Sequence, residues 1–107
     1  MGQYFYIVNL DKQEFLHPHC FGDGLKLMEF GCSPTGTMLG LALLLRRSSE
    51  SGGGDFPGSD PEGLLGRWAG DRIVVIGDYD ESDLYQQADD SMLNVSHGVI
   101  ALMEQDE

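Results

Sequence analysis

Positive charge is scarce in this chain and absent from its last third. Its 107 residues include six Lys and Arg against 18 Asp and Glu, a net charge of −12 at neutral pH. All six bases lie within residues 1–72, whereas residues 73–107 carry nine acids and no base. Such a field repels nucleic-acid phosphates and anionic membranes. We therefore expect no nucleic acid and no membrane as partner. The acids predict either simple solubility or an acidic C-terminal face that binds a basic protein.

Long apolar runs and cysteines are also few. The longest apolar block, MLGLALLL at residues 38–45, is far shorter than the about 18 apolar residues that indicate a membrane span. The N-terminus has no basic region ahead of an apolar run, so no signal peptide is predicted and a cytoplasmic location is expected. In a reducing compartment, Cys20 and Cys32 are expected to be free buried thiols.

Two β-hairpins are predicted from composition and turn residues. QYFYIVNL (residues 3–10) and QEFLHPHC (13–20) are strand-like segments joined at a short polar break, and Pro18 closes the second strand or forces it to an edge. Gly70-Asp71 fits a type II′ turn between RWA and RIVVI. RIVVI (72–76) is the best strand and is expected at the centre of the sheet.

Helical patterns occupy the middle and the end of the chain. Ser33-Pro34 is a typical helix start for an apolar helix that ends in Arg46-Arg47. LKLMEF (25–30) fits a short helix or irregular structure. From residue 83 the apolar positions step by three and four, which predicts one long helix or two consecutive helices with Ser96 as N-cap: Tyr85, Ala88, Met92, Val95, Val99 and Leu102.

The predicted fold is therefore one small α+β domain over residues 1–107. It has a four-stranded antiparallel sheet covered by a central apolar helix and a C-terminal helix. Residues 47–63 form a flexible loop rich in Gly and Ser, because they have too few apolar side chains to order themselves. The near-heptad spacing of the C-terminal stripe also fits a homodimer seam, although its use as a core face is the simpler interpretation.

His17 and His19 are candidate metal ligands. On an extended strand the two side chains point to the same face, and zinc would need further ligands from Cys20, Cys32 or His97. Cys20 should point to the opposite face unless Pro18 breaks the alternation. No standard zinc spacing is present, and two exposed histidines at a strand end are the plainer reading. A metal-binding protein or metal-dependent enzyme centred on these histidines, with zinc as the possible metal, is the alternative functional hypothesis.

The glycine turns are candidates for binding an anionic small ligand. Backbone amides at the start of the central helix could hold an anion, nearby cations could add charge, and Trp68 could stack on a base or sugar. The spacing matches neither a Walker nor a Rossmann motif, so tight turns around a core Trp remain the competing interpretation. The predicted ligand-binding residues are Gly22, Asp23, Gly24, Lys26, Arg67, Trp68 and Arg72.

The segments FGDGLKL and WAGDRI, with the aromatic start MGQYFYIVNL, resemble a group of small uncharacterised bacterial and phage proteins. The resemblance implies one domain with a dispensable loop, and it brings neither an activity nor a catalytic residue. From charge and size we expect a small non-enzymatic binding protein. It would sequester an anionic ligand such as a nucleotide, or block a protein partner, as phage and bacterial accessory proteins could.

Overall fold

The computed structural model describes residues 2–32 and 35–105. The described part is an α+β domain with a four-stranded sheet and four α-helices. Its elements are β1 (Phe5–Asn9), β2 (Glu14–Leu16), a 3₁₀-helix (Pro18–Phe21), α1 (Leu27–Gly31), α2 (Thr37–Leu45), β3 (Ile73–Gly77), α3 (Leu84–Ser91), β4 (Leu93–Asn94) and α4 (Ser96–Met103).

The sheet is mixed, so the prediction of a purely antiparallel sheet is wrong. The strand order is β3-β1-β2-β4. β1 pairs antiparallel with β2 and with β3, whereas β4 lies parallel to β2. The hairpin predicted at the N-terminus is confirmed. The segment RIVVI does form a strand, β3, but it occupies an edge of the sheet and not its centre.

The second predicted hairpin does not form. Residues 64–71 form turns and irregular backbone and not a strand, and Trp68 is completely buried there. Its indole N–H donates to a Glu14 carboxylate oxygen at 2.8 Å. The segment therefore packs its large side chain into the core from a turn, and the fourth strand comes instead from β4.

Alternation along β1 sends side chains to both faces of the sheet, and each face is covered. Ile7 belongs to the larger core, and Tyr6 and Val8 to the smaller one. The larger core lies between the sheet and helices α2 and α4, with Leu16, Phe30, Leu41, Leu44, Leu64, Trp68, Val95, Val99 and Leu102. The smaller core lies under α3, with Phe15, Ile76 and Ala88.

The C-terminal stripe forms two helices separated by β4. Asn94 Oδ1 accepts a hydrogen bond from the Ser96 N–H at 3.0 Å, and α4 begins at Ser96, one residue after its N-cap Val95. Ser96 was predicted as the N-cap, but its hydroxyl instead accepts the His17 N–H at 2.8 Å. Ala88, Val95, Val99 and Leu102 of the stripe are buried in the two cores of the single chain.

The central helix α2 packs on α4 with Gly40 and Leu44 buried, while Met38 and Leu39 remain partly exposed. The predicted start of this helix at Ser33-Pro34 lies outside the described residues. No described helix is long and apolar enough to cross a membrane.

Residues 47–63 contain no helix or strand, yet the second half of this segment contacts the domain. Arg46 binds the Asp55 carboxylate through Nε at 2.8 Å and Nη2 at 2.7 Å. Phe56 packs against the larger core. Gln105 accepts the Ser59 N–H at 2.8 Å. Attachment at these points shows that a loop poor in apolar residues can still be held by a few specific contacts.

Candidate functional site

The glycine turn at residues 22–24 serves the start of α2. Gly22 has φ of 82° and ends the 3₁₀-helix, a left-handed conformation that glycine adopts without strain. One Asp23 carboxylate oxygen accepts both the Thr37 N–H at 2.8 Å and the Thr37 hydroxyl at 2.7 Å. Gly24 packs against the Glu29 carboxylate, which would collide with an added Cβ. An internal carboxylate therefore fills the helix start where an external anion was expected.

Arg67 and Trp68 both converge on Glu14, which is 3% exposed. Arg67 Nη2 lies 2.5 Å from Glu14 Oε2, and the Trp68 indole bonds the other carboxylate oxygen. Burial raises the pKa of Glu14, but the hydrogen bonds from Arg67 and Trp68 outweigh it and leave the pKa below its usual value. Trp68 is wholly buried, so it presents no ring face to a ligand in this structure.

Arg72 and Lys26 lie too far apart to share a ligand. The Arg72 carbonyl accepts the N–H of Leu10, just after the end of β1. The carbonyl of Leu25, next to Lys26, accepts the N–H of Phe5 at the start of β1. At about 3.4 Å per residue, five residues of strand separate them by roughly 17 Å. Arg72 is also ion-paired with Asp11 at 2.7 Å. The seven predicted ligand-binding residues therefore do not form one cleft.

His17 and His19 are brought together, but not by a strand. β2 ends at Leu16, and His17 caps the 3₁₀-helix by accepting the His19 N–H through its ring Nδ1 at 3.3 Å. The two imidazole centroids are 5.5 Å apart. Burial, followed by repulsion from His19, lowers the pKa of His17. Within residues 2–32 and 35–105, no group of three or more His, Cys, Asp or Glu could hold a metal ion. The zinc hypothesis therefore stays a prediction, in which His17 and His19 lie close together and further ligands are not identified.

A pair that sequence reasoning missed is Cys20 with His97. Because Cys20 lies on a 3₁₀-helix, strand alternation does not apply to it, and its Sγ lies 3.8 Å from His97 Nε2. Cys20 is half-buried and Cys32 is exposed, so the expectation of two buried thiols is wrong. The pairing depends on β4, whose two residues form a strand too short to leave a recognisable sequence pattern.

The outer edge of β3 presents unpaired backbone groups. Two hydrogen bonds flank β3: the Leu10 N–H donates to the Arg72 carbonyl, and the Asp78 N–H donates to the Tyr4 carbonyl. In each case the two residues lie directly opposite each other in the register of β1 and β3. Since bonded pairs alternate in an antiparallel ladder, Val74 and Ile76 also face β1, whereas Ile73 and Val75 direct their N–H and C=O groups outward. No described strand lies on that side, and the Val75 residue is 43% exposed.

An acidic segment continues directly from this edge. Residues 78–83 are all exposed, and none of the four described ion pairs includes them, since each pair joins a base to an acid at or before residue 71. The acids of this segment are Asp78, Asp80, Glu81 and Asp83. We call the free edge of β3 together with residues 78–83 the acidic edge. It combines backbone hydrogen-bonding capacity with negative charge that the described bases do not neutralise.

No protein-family model, curated protein or solved structure matches this chain, and the functional argument therefore depends on this geometry.

Proposed function

We propose that the chain is a non-enzymatic binding protein that adds an extended, basic segment of a partner protein to the acidic edge. The observation that carries the proposal is the juxtaposition of outward-facing N–H and C=O groups on Ile73 and Val75 with the unneutralised acids of residues 78–83. An exposed edge strand is a template for a further strand. Recognition by strand addition takes its affinity from main-chain hydrogen bonds and its specificity from side chains.

Charge selects the occupant of this edge. A second copy of the chain would bring another net charge of −12 and would be repelled. A segment with Lys or Arg at alternate positions would place its cations on one face of the added strand. Such binding would cover a basic surface of the partner, in keeping with the blocking role expected from composition.

An anionic ligand such as a nucleotide receives less support. Asp23 already fills the start of α2, Trp68 is buried, and Arg67 is paired with Glu14. These side chains have internal partners that a ligand would first have to displace.

The test uses Val75→Pro, which removes an outward N–H without removing any bond between β1 and β3. Proline is tolerated at edge positions whose N–H faces away from the sheet. The binding of a fluorescent peptide of alternating Lys and Val would be measured by anisotropy. We expect affinity to fall by about tenfold, the value of one backbone hydrogen bond of about 1–1.5 kcal/mol.

Val75→Thr is the matched control, because it keeps the N–H and a β-branched side chain and should bind as the parent does. Glu81→Gln with Asp83→Asn tests the charge contribution and should weaken binding and reduce its dependence on salt. Circular dichroism would verify that each variant is folded. Equal binding by the Pro and Thr variants, or equal binding of a Glu-Val peptide, would refute the proposal.

A further inference from the structure

Three side chains from two distant parts of the sequence meet at the 3₁₀-helix that follows β2. Cys20 Sγ lies 3.8 Å from His97 Nε2 and 3.7 Å from Asn94 Nδ2. The Asn94 amide N–H donates to the sulfur, and in the tautomer that leaves Nε2 without a proton, His97 is placed to accept the thiol proton. Once that proton has moved, the sulfur keeps a hydrogen-bond donor in Asn94. His97 is exposed, and it can exchange the proton with water.

The same thiol borders a cavity. Its volume is about 360 Å³, and its walls also include Phe21, Leu39, Ile100, Met103 and Glu104. The walls are mainly apolar, with one carboxylate. Cys20 is thus half-buried between a base and a space large enough for a small molecule, whereas Cys32 is exposed and has no described hydrogen-bond partner on its sulfur.

We infer that Cys20 is a reactive thiol that exchanges with small cationic disulfides, with His97 as its base. In the reaction the Cys20 proton passes to His97 Nε2, and the sulfur attacks one sulfur of the disulfide. A new bond joins Cys20 to that half of the molecule while the original S–S bond breaks. The departing thiolate takes the proton from His97. One thiol and one disulfide become a mixed disulfide and one free thiol, with no net oxidant consumed.

Charge sets the preferred disulfide. Glu104 lies on the cavity wall, and the whole chain carries −12. A disulfide with amino groups is therefore attracted, and one with carboxylates is repelled. The apolar walls suit a short hydrocarbon arm between the sulfur and the amine.

Cys32 supplies an internal reference for the test. The native protein would be treated at neutral pH with cystamine, with bis(2-hydroxyethyl) disulfide or with glutathione disulfide. The mixed disulfide at each cysteine would be followed by peptide mass spectrometry. Exposure alone predicts that Cys32 reacts first. The proposal predicts that Cys20 reacts on the order of tenfold faster, which is below the roughly 10²- to 10⁴-fold of a positioned base because half-burial slows access to Cys20. Cystamine should react fastest, the neutral disulfide next and glutathione disulfide slowest.

Two variants separate chemistry from access. His97→Gln should lower the rate at Cys20 roughly tenfold and leave the rate at Cys32 unchanged. Asn94→Asp keeps an oxygen for the Ser96 N–H but removes the donor to sulfur, and it should also slow Cys20. The inference is overturned if Cys32 reacts as fast as Cys20 in the parent protein or if His97→Gln leaves the ratio of rates unchanged. A preference for glutathione disulfide would overturn the assigned ligand class.

Discussion

Glu14 illustrates how one buried carboxylate can organise a segment that has no regular structure. It is the first residue of β2 and receives hydrogen bonds from both Arg67 and Trp68. A buried carboxylate is stabilised only when its oxygens are paired. The turns at residues 64–71 are therefore held to the sheet by the side chain that most needs partners. The sequence predicts Arg67 and Trp68 as ligand-binding residues, because nothing in it marks Glu14 as buried.

We predict that Glu14→Gln destabilises the protein at pH 7 and that this loss shrinks in acid. The cost should be about 2–3 kcal/mol, less than the 3–5 kcal/mol typical of a fully buried broken pair, because Arg67 still contacts water. Since the folded pKa of Glu14 lies below its ordinary 4.5, the ionised group contributes stability above that pH and loses it as the pH falls further. Urea unfolding of both proteins from pH 7 to pH 3 would measure the difference. A difference that does not change with pH would contradict the assignment.

Close packing between helices determines which residues are tolerated in them as much as helix propensity does. Gly40 in the middle of α2 allows the helix to approach the 3₁₀-helix and α4, since an added Cβ would lie 2.8 Å from a Phe21 ring carbon and 3.0 Å from a Val99 methyl. Both distances are shorter than ordinary van der Waals contact. Gly31 at the end of α1 has nothing within 4 Å of the same position.

We predict opposite outcomes for alanine at these two glycines. Replacing Gly by Ala raises helix propensity by about 1 kcal/mol, and Gly31→Ala should be neutral or slightly stabilising. Gly40→Ala should destabilise by about 1–2 kcal/mol, because overpacking a core contact costs more than the propensity gains. Thermal and urea unfolding of the two variants would measure both effects. Stabilisation by Gly40→Ala would show that the contact between α2 and α4 is loose.

The elements with strong local patterns were predictable, and those set by distant contacts were not. The β1-β2 hairpin, the central apolar helix and the helical character of the chain after residue 83 follow from strand composition, apolar period and turn residues. The apolar period fits one C-terminal helix as well as two, so it does not decide the division into α3 and α4. β4 has only two residues, so no pattern marks it. β3 lies at an edge because residues 64–71 pack into the core without forming a strand, so no second neighbour is added on the outer side of β3. The free edge and the Cys20–His97 pair depend on this same topology.

Across the whole molecule, negative charge is concentrated in residues 73–107, which contain nine acids and no base. Four of the six bases are held in ion pairs by acids at or before residue 71. The acids of residues 78–83 therefore repel one another across a small domain. Self-repulsion of this kind opposes the compact state while it favours a cationic partner. Binding at the acidic edge and stability of the free protein should thus respond in opposite directions to the same substitutions.

We predict that Glu81→Gln with Asp83→Asn raises the free energy of unfolding at low salt and flattens its salt dependence. Raising the ionic strength from about 0.01 M to 1 M shortens the screening length from roughly 30 Å to 3 Å. The parent should gain on the order of 1 kcal/mol in urea unfolding at 1 M sodium chloride, because its larger net charge is then screened. The double variant should gain less. If the free energies of unfolding of the two proteins rise equally with salt, these acids do not destabilise the fold.

The strand order β3-β1-β2-β4 also has a consequence for synthesis on the ribosome. β1 and β2 are made first and can form a hairpin at once, but a lone hairpin in water is only marginally stable. Its two neighbours begin at Ile73 and Leu93, so both sides of the hairpin stay unpaired until these later segments have been translated. Pairings this distant in sequence form slowly. The sheet is therefore completed only after Leu93 and Asn94 have been made, and until then the nascent chain exposes the aromatic, β-branched segment of β1.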